Sequence, residues 1–168
     1  MNFFQLIKAL FTSAPATAAP NKALPYSKRF LAFLPFIFEW EGGLDDDKDD
    51  PGGVTNFGID ARSHPGVDIR HLTKEGATVI YWGEWIKDGC EAKAYPLGEV
   101  IFNCDVNCGV GRTQSILAEI GSPPSAKAFL DSQEKFYEHL ADTKPVMHKF
   151  LQGWLNRVHD LEKTTGII

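Results

Sequence analysis

Glu41-Gly42-Gly43-Leu44, the acidic run Asp45 to Asp50, and then Pro51-Gly52-Gly53-Val54-Thr55-Asn56-Phe57-Gly58-Ile59 form the stretch on which the fold turns. Upstream, Phe30, Leu34, Ile37 and Glu41 recur at helical spacing, which predicts a helix from about Ser27 to Glu41 with Glu41 on its apolar stripe. Gly42 and Gly43 offer the left-handed conformation that ends a helix, placing Glu41 in the last turn beside the unpaired carbonyls. Apolar neighbours and the negative helix end both disfavour a charged carboxylate, the setting a general acid uses. The same spacing also fits an ordinary exposed glutamate at a helix end.

Asp50 lies on a segment that cannot be helical, because Pro51 forces its predecessor into extended geometry and Gly52-Gly53 supply a turn. Two carboxyls from separate elements can then face one cleft. Val54, Phe57 and Ile59, with Thr55 and Asn56 between them, read as a short strand or hairpin from which Thr55 or Asn56 can hold a water. Pro35 interrupts the predicted helix, so a kink or a restart is expected there.

The string Glu-Gly-Gly, Asp-Pro-Gly-Gly, Thr-Asn-Phe-Gly-Ile resembles the signature of glycoside hydrolase family 108. Phe102-Asn103-Cys104-Asp105-Val106-Asn107-Cys108-Gly109 is similar to the family's Phe-Asp-x-x-Val-Asn-x-Gly segment, with Asn103 where an acidic residue often stands. Phe150-Leu151-Gln152-Gly153-Trp154-Leu155-Asn156-Arg157 resembles its closing helix. The resemblance implies a mainly α, lysozyme-like helical domain with a small β-hairpin at the active-site loop. It also implies cleavage of the bond between N-acetylmuramic acid and N-acetylglucosamine. Carried over, Glu41 is the catalytic acid and Asp50 and Thr55 place the attacking water, with Asp47 and Asp49 on the same loop as alternatives to Asp50. Asn56, Asn107 and Trp82 are the candidate sugar contacts. A lytic transglycosylase using Glu41 alone, or a non-catalytic wall-binding component of a phage tail or secretion machine, are the competing readings.

The 168 residues, 43% apolar and 23% charged, suit one soluble domain acting as a monomer. The net charge of −5 argues against nucleic acid as a partner. Residues 1 to 25 differ from the domain at 26 to 168: Phe3, Ile7 and Phe11 space an apolar face ahead of an Ala/Pro-rich linker. This segment reads as a docking or tethering peptide, for a membrane or a partner protein, as a weak export signal, or as a disordered tail. No later stretch is long enough to span a membrane. Action on peptidoglycan glycan strands at the bacterial cell wall, in the periplasm, follows from the resemblance, with delivery by a phage lysis system, a virion or that weak signal.

Further helices are expected from Thr73 to Trp85, Pro96 to Asn107, Arg112 to Ile120, around Phe129 to Leu140, and from Pro145 to Leu161. Trp82 and Trp85 fit sugar platforms or, more commonly, core. Cys90, Cys104 and Cys108 form no disulfide framework, and Cys104 with Cys108 reads as a buried apolar pair. The five histidines lack ligand spacing and read as surface residues. Asp45, Asp47 and Asp49 alternate like calcium ligands, but the sixth position is Asp50 rather than Gly and the twelfth is Asn56 rather than Glu, so neither metal nor cofactor is expected.

Overall fold

The computed structural model describes residues 25–44 and 54–167. The N-terminal segment, the acidic run and with it Asp47, Asp49 and Asp50 lie outside the described residues. Six helices and one two-stranded hairpin make up the described chain. In order they are α1 (Lys28–Glu41), β1 (Thr55–Asn56), β2 (Ile59–Asp60), α2 (Lys74–Lys87), α3 (Leu97–Cys108), α4 (Val110–Ile120), α5 (Ala126–Thr143) and α6 (Leu151–Thr165). This is the mainly α, lysozyme-like architecture expected from the sequence.

Local capping chemistry sets several boundaries. Ser27 accepts from the Phe30 amide at the start of α1, and Thr73 and Ser125 do the same for Gly76 and Ala128 at the starts of α2 and α5. Each satisfies an amide that the first turn leaves without a carbonyl partner, which stabilises by about 1 kcal/mol. Pro35 neither breaks nor restarts α1, which runs through it to Glu41. The carbonyl deprived of its donor belongs to Leu31, one of the exposed residues of the helix, so water can take the vacant place. Gly109 alone separates α3 from α4, and α4 begins at Val110 rather than Arg112. Between Pro145 and Phe150 the chain forms 3-10 turns instead of the first turns of α6. Phe150, at the end of these turns, is 45% exposed.

The core is aromatic at its centre. Phe102 of α3 meets the edges of Phe30, Tyr81 and Trp85, with centroids 6.3, 5.9 and 5.3 Å away. Such edge contacts add about 0.5–1.5 kcal/mol each to the burial of ring area. A polar knot ties the start of α1 to this core. Arg29 donates to both oxygens of the buried Glu99 at 2.6 and 2.5 Å, and Ser27 and Trp85 both donate to Glu91. The far end of α1, where Glu41 sits, is thereby carried on a helix anchored at its start.

Candidate functional site

Glu41 is the last residue of α1, and its side chain is 13% exposed. Two other parts of the chain meet it directly. The hairpin turn Phe57-Gly58 has positive φ at both residues, 53° and 76°, the pairing that closes a two-residue hairpin with the natural strand twist. That turn lies directly on Glu41: a Cβ at Gly58 would stand 2.5 Å from its Oε2, 2.7 Å from its Cγ and 2.8 Å from its Cβ. Only glycine fits there. Phe57 occupies a backbone region that costs a larger residue about 1–2 kcal/mol. It is held there by the Tyr81 hydroxyl, which donates to its carbonyl at 2.6 Å, and by its edge contact with Phe38.

The second contact comes from α6. Arg157 Nη1 lies 2.6 Å from Glu41 Oε1, and the guanidinium is itself almost wholly buried. The pair is a close ion contact whose angle is poor for a hydrogen bond, since Oε1 has no partner by hydrogen-bond geometry. Arg157 is oriented by α3: its Nε donates at 2.8 Å to Oδ1 of the fully buried Asn103. Asn103 carries no charge, so among these three side chains the guanidinium has one carboxylate to neutralise. The helix end and apolar neighbours anticipated from the sequence are therefore joined by a cation that local reading does not reveal. Tyr81 stands close enough that its hydroxyl is pushed well above the ordinary tyrosine range, by burial first and by the charge of Glu41 second.

Two cavities flank this centre. The larger, about 530 Å³, opens between α3, α4, α5 and α6, with Asn107, Cys108, Arg112, Tyr137 and Trp154 on its walls. Trp154 lies one turn before Arg157 on α6 and stacks on Tyr137 with centroids 5.1 Å apart. Tyr137 donates to Asn107 Oδ1 at 2.5 Å. The smaller, about 270 Å³, lies between the hairpin, α2 and the end of α3 and is lined by Gly58, Asp60, His64, Tyr81, Glu84 and Asp105 among others. Glu41 lines neither, but it touches Gly58 of the smaller and is bound by the arginine one turn from Trp154 of the larger.

Asp105 faces the smaller cavity with both carboxyl oxygens buried and without hydrogen-bond partners. Its pKa is pushed up to about 6, chiefly by burial. His64 is half-buried there and pairs with Glu84 at 3.2 Å, which raises it above its ordinary value; it is not the free surface residue expected.

The sequence-predicted residues divide accordingly. Glu41 occupies the centre, and Thr55 lies on β1 two residues before the Phe57-Gly58 turn, paired with Asp60 across the hairpin. Asn56 is buried, and its amide donates to the carbonyls of Ile69 and Leu72 at 3.2 Å each, so that nitrogen anchors the hairpin. Trp82 packs on Tyr26 and Phe30 at the opposite end of α1, about 16 Å from Glu41 by helical rise. It belongs to the core margin, and Trp85 is wholly core. Asn107 lines the larger cavity. Cys104 is buried, but Cys108 is half-exposed in that cavity and engages Tyr137, so the two do not form the buried apolar pair expected. Arg157 and Gly58 both contact Glu41, and sequence reasoning assigned neither of these contacts. Both residues lie within motifs that carry the resemblance, the Gly-Trp-x-x-Arg run and the Phe-Gly-Ile string. Among the described residues no group of three or more His, Cys, Asp or Glu is disposed to hold a metal ion, and no helix is long and apolar enough to cross a membrane.

Residues 34–109 match the family model described as Glycosyl hydrolase 108, in line with the resemblance read from the motifs. The solved structure of SagA from Brucella abortus superposes with a TM-score of 0.65 over 82% of this chain and 93% of that one, at 22% identity. That likeness shows a shared fold. No curated protein gives a significant match.

Proposed function

With the glycosyl hydrolase 108 match as premise, we propose that the chain is a peptidoglycan hydrolase of the muramidase type, with Glu41 as its general acid. The observation that carries this reading is the treatment of Glu41. A carboxyl at a helix end is normally solvated, yet this one is roofed by a glycine that admits no side chain and steadied at 2.6 Å by a buried guanidinium. Holding a proton donor in one position converts binding into orientation, which is where much of the rate enhancement of such a group originates.

In the proposed reaction Glu41 delivers a proton to the glycosidic oxygen as the bond to the muramic sugar breaks. A water on the opposite face of the ring attacks the oxocarbenium-like carbon. Asp50, assisted by Thr55, orients and deprotonates that water, so the product forms with inversion. Arg157 acts through Glu41, as a positioning residue that keeps the carboxyl aimed while its charge changes. The larger cavity continues the site along the glycan: Asn107 and Trp154 on its walls offer an amide and a ring edge to successive sugars. Asn107 has its oxygen engaged by Tyr137, which leaves the amide nitrogen to donate.

The test is Glu41→Gln assayed on purified peptidoglycan, with the released fragments weighed by mass spectrometry. The amide keeps the size of the carboxyl but has no acidic proton to give, so the rate should drop at least about a hundredfold. Melting should stay cooperative. Wild-type fragments should end in reducing sugars. Anhydro ends would replace the hydrolytic reading with a transglycosylase, and full activity in the Gln variant would remove Glu41 from the chemistry.

A further inference from the structure

The sugars assigned to the larger cavity leave one of its side chains without a task. Arg112 lines that cavity, half-buried in the first turn of α4. Its guanidinium carbon lies 3.9 Å from the centroid of the Phe136 ring, and it has no hydrogen bond or ion pair with any described residue. Arg29 and Arg157, by contrast, each lie against a carboxylate, that of Glu99 and that of Glu41. A ring against the guanidinium face fixes the position of Arg112 but leaves unspent the five donors that lie in its plane.

The rest of the wall is arranged for an acceptor as well. The fully buried Gln133 donates to the Tyr137 hydroxyl at 2.9 Å, Tyr137 donates to Asn107 Oδ1 at 2.5 Å, and the Cys108 thiol donates to the same oxygen at 3.5 Å. The Asn107 oxygen is thereby consumed, and its amide N–H groups are what it has left to offer the cavity. Among the described residues no aspartate or glutamate lines this cavity, although the chain carries 22 of them and a net charge of −5. The smaller cavity is the opposite, with Asp60, Glu84, Asp88 and Asp105 on its walls. At about 530 Å³ the larger one falls within the range of about 300–1,000 Å³ in which small ligands bind. Donors, a full positive charge and no competing carboxylate select an anion with acceptor oxygens over a neutral sugar.

The muramic sugar brings such a group with it. Its lactyl arm carries a short peptide that contains a glutamate linked through its side chain, so that the α-carboxylate stays free. Trp154 on the cavity wall precedes Arg157 by three residues, about 4.5 Å of helical rise, and Arg157 touches Glu41. Each extended peptide residue spans about 3.3–3.6 Å, so a peptide on a sugar held at Glu41 reaches this wall within its first few residues. We propose that the larger cavity is a peptide subsite, in which Arg112 pairs with the α-carboxylate of that glutamate and selects wall strands whose stems are not amidated there. The assignment takes its substrate from the muramidase reading. The guanidinium fork matches both carboxylate oxygens, whereas an amide in the same place offers one acceptor and sets its own N–H groups against the arginine.

Calorimetric titration of the full-length protein with N-acetylmuramyl-L-alanyl-γ-D-glutamyl-L-lysine tests this, the ligand being amidated at its C-terminus so that the glutamyl α-carboxylate is its only one. It contains a single sugar and no bond for the enzyme to cut, so binding is read apart from cleavage. It should bind about tenfold tighter than the same compound with an α-amide, the least that a charge-assisted hydrogen bond discriminates. Arg112→Gln should bring the two forms to equal affinity with melting still cooperative, and Arg112→Lys should keep part of the preference. Added salt should shrink it. Equal affinity of the two forms for the wild-type protein, binding of neither, or a preference that survives in Arg112→Gln would each overturn the proposal. So would displacement of the peptide by inorganic phosphate at equal concentration, the mark of an unselective anion site. A protein that shows the Arg112-dependent preference yet leaves peptidoglycan uncut would retain this subsite and lose the muramidase reading, and one that cuts without the preference would do the reverse.

Discussion

Replacing Gly58 by alanine tests the geometry around Glu41 more directly than replacing Glu41 itself. Two penalties follow from the structure. The backbone at φ 76° costs a residue with a Cβ about 1–2 kcal/mol. The new methyl would also lie 2.5 to 2.8 Å from three atoms of Glu41, two of which, Cβ and Cγ, are too near the backbone to swing aside. To restore ordinary contact the glutamate must retreat by roughly 0.6 to 0.9 Å, an overpacking that costs about 1–3 kcal/mol more. For a chain of this size the sum lowers the melting temperature by roughly 5–15 °C. Gly121→Ala is the control, because φ there is 75° and nothing lies within 4 Å of the added methyl. It should lower melting by only roughly 2–6 °C. Displacing a positioned acid by close to 1 Å costs on the order of a hundredfold in rate, so Gly58→Ala should lose about that factor on purified peptidoglycan. Gly121→Ala should keep its activity. In a Glu41→Ala background the Gly58 substitution should cost measurably less, since two of the three clashing atoms are gone. Equal melting temperatures for the two alanine variants, with full activity in both, would refute the reasoning.

Arg157→Met strands a nearly buried carboxylate without its cation and should cost about 3–5 kcal/mol in urea unfolding at neutral pH; pairing it with Glu41→Gln should recover most of the loss. Burial without partners raises Asp105 to about 6, so the folded state holds a proton that the unfolded chain releases near 4. Stability from this residue is therefore greatest below pH 4, falls as pH rises from about 4 to 6, and stays low above that. Solvent entering by the cavity discounts the full shift to about 1–2 kcal/mol. Asp105→Asn should raise the melting temperature by a few degrees at pH 7.5 and leave it unchanged at pH 4. The same gain at both pH values would show that charge burial is not the cause.

What the sequence revealed and what it concealed separate by range. Ser27 and Thr73 advertise helix starts because capping is settled within three residues, and the chain obeys both. The Phe57-Gly58 turn was not read, because phenylalanine rarely takes positive φ and the pair lacks the Asn-Gly signal of a two-residue hairpin. The position of Glu41 on the apolar stripe was legible for the same reason as the caps. Its partners were not. Arg157 reaches it from α6 and is itself held by Asn103 of α3, and no local pattern encodes that meeting of three separate helices. Trp82 shows the converse error: an aromatic at a plausible spacing is drawn to Tyr26 and Phe30 by ring burial, far from the acid. The exposure of Phe150 comes from backbone chemistry, because the turns after Pro145 alter which face the following residues present. Cys108 was read as apolar because its polar neighbours, Gln133 and Tyr137, arrive from a different helix.

The guanidinium that steadies Glu41 comes from the last helix of the chain, while Glu41 comes from the first described one. Synthesis runs from the N-terminus, so a growing chain has long displayed its glutamate before Arg157 leaves the ribosome. Until then Glu41 lacks its cationic partner, and the matched stretch 34–109 does not include that partner. On the muramidase reading, a molecule clipped ahead of α6 would keep its acid and lose the group that positions it, which would uncouple possession of the carboxyl from use of it.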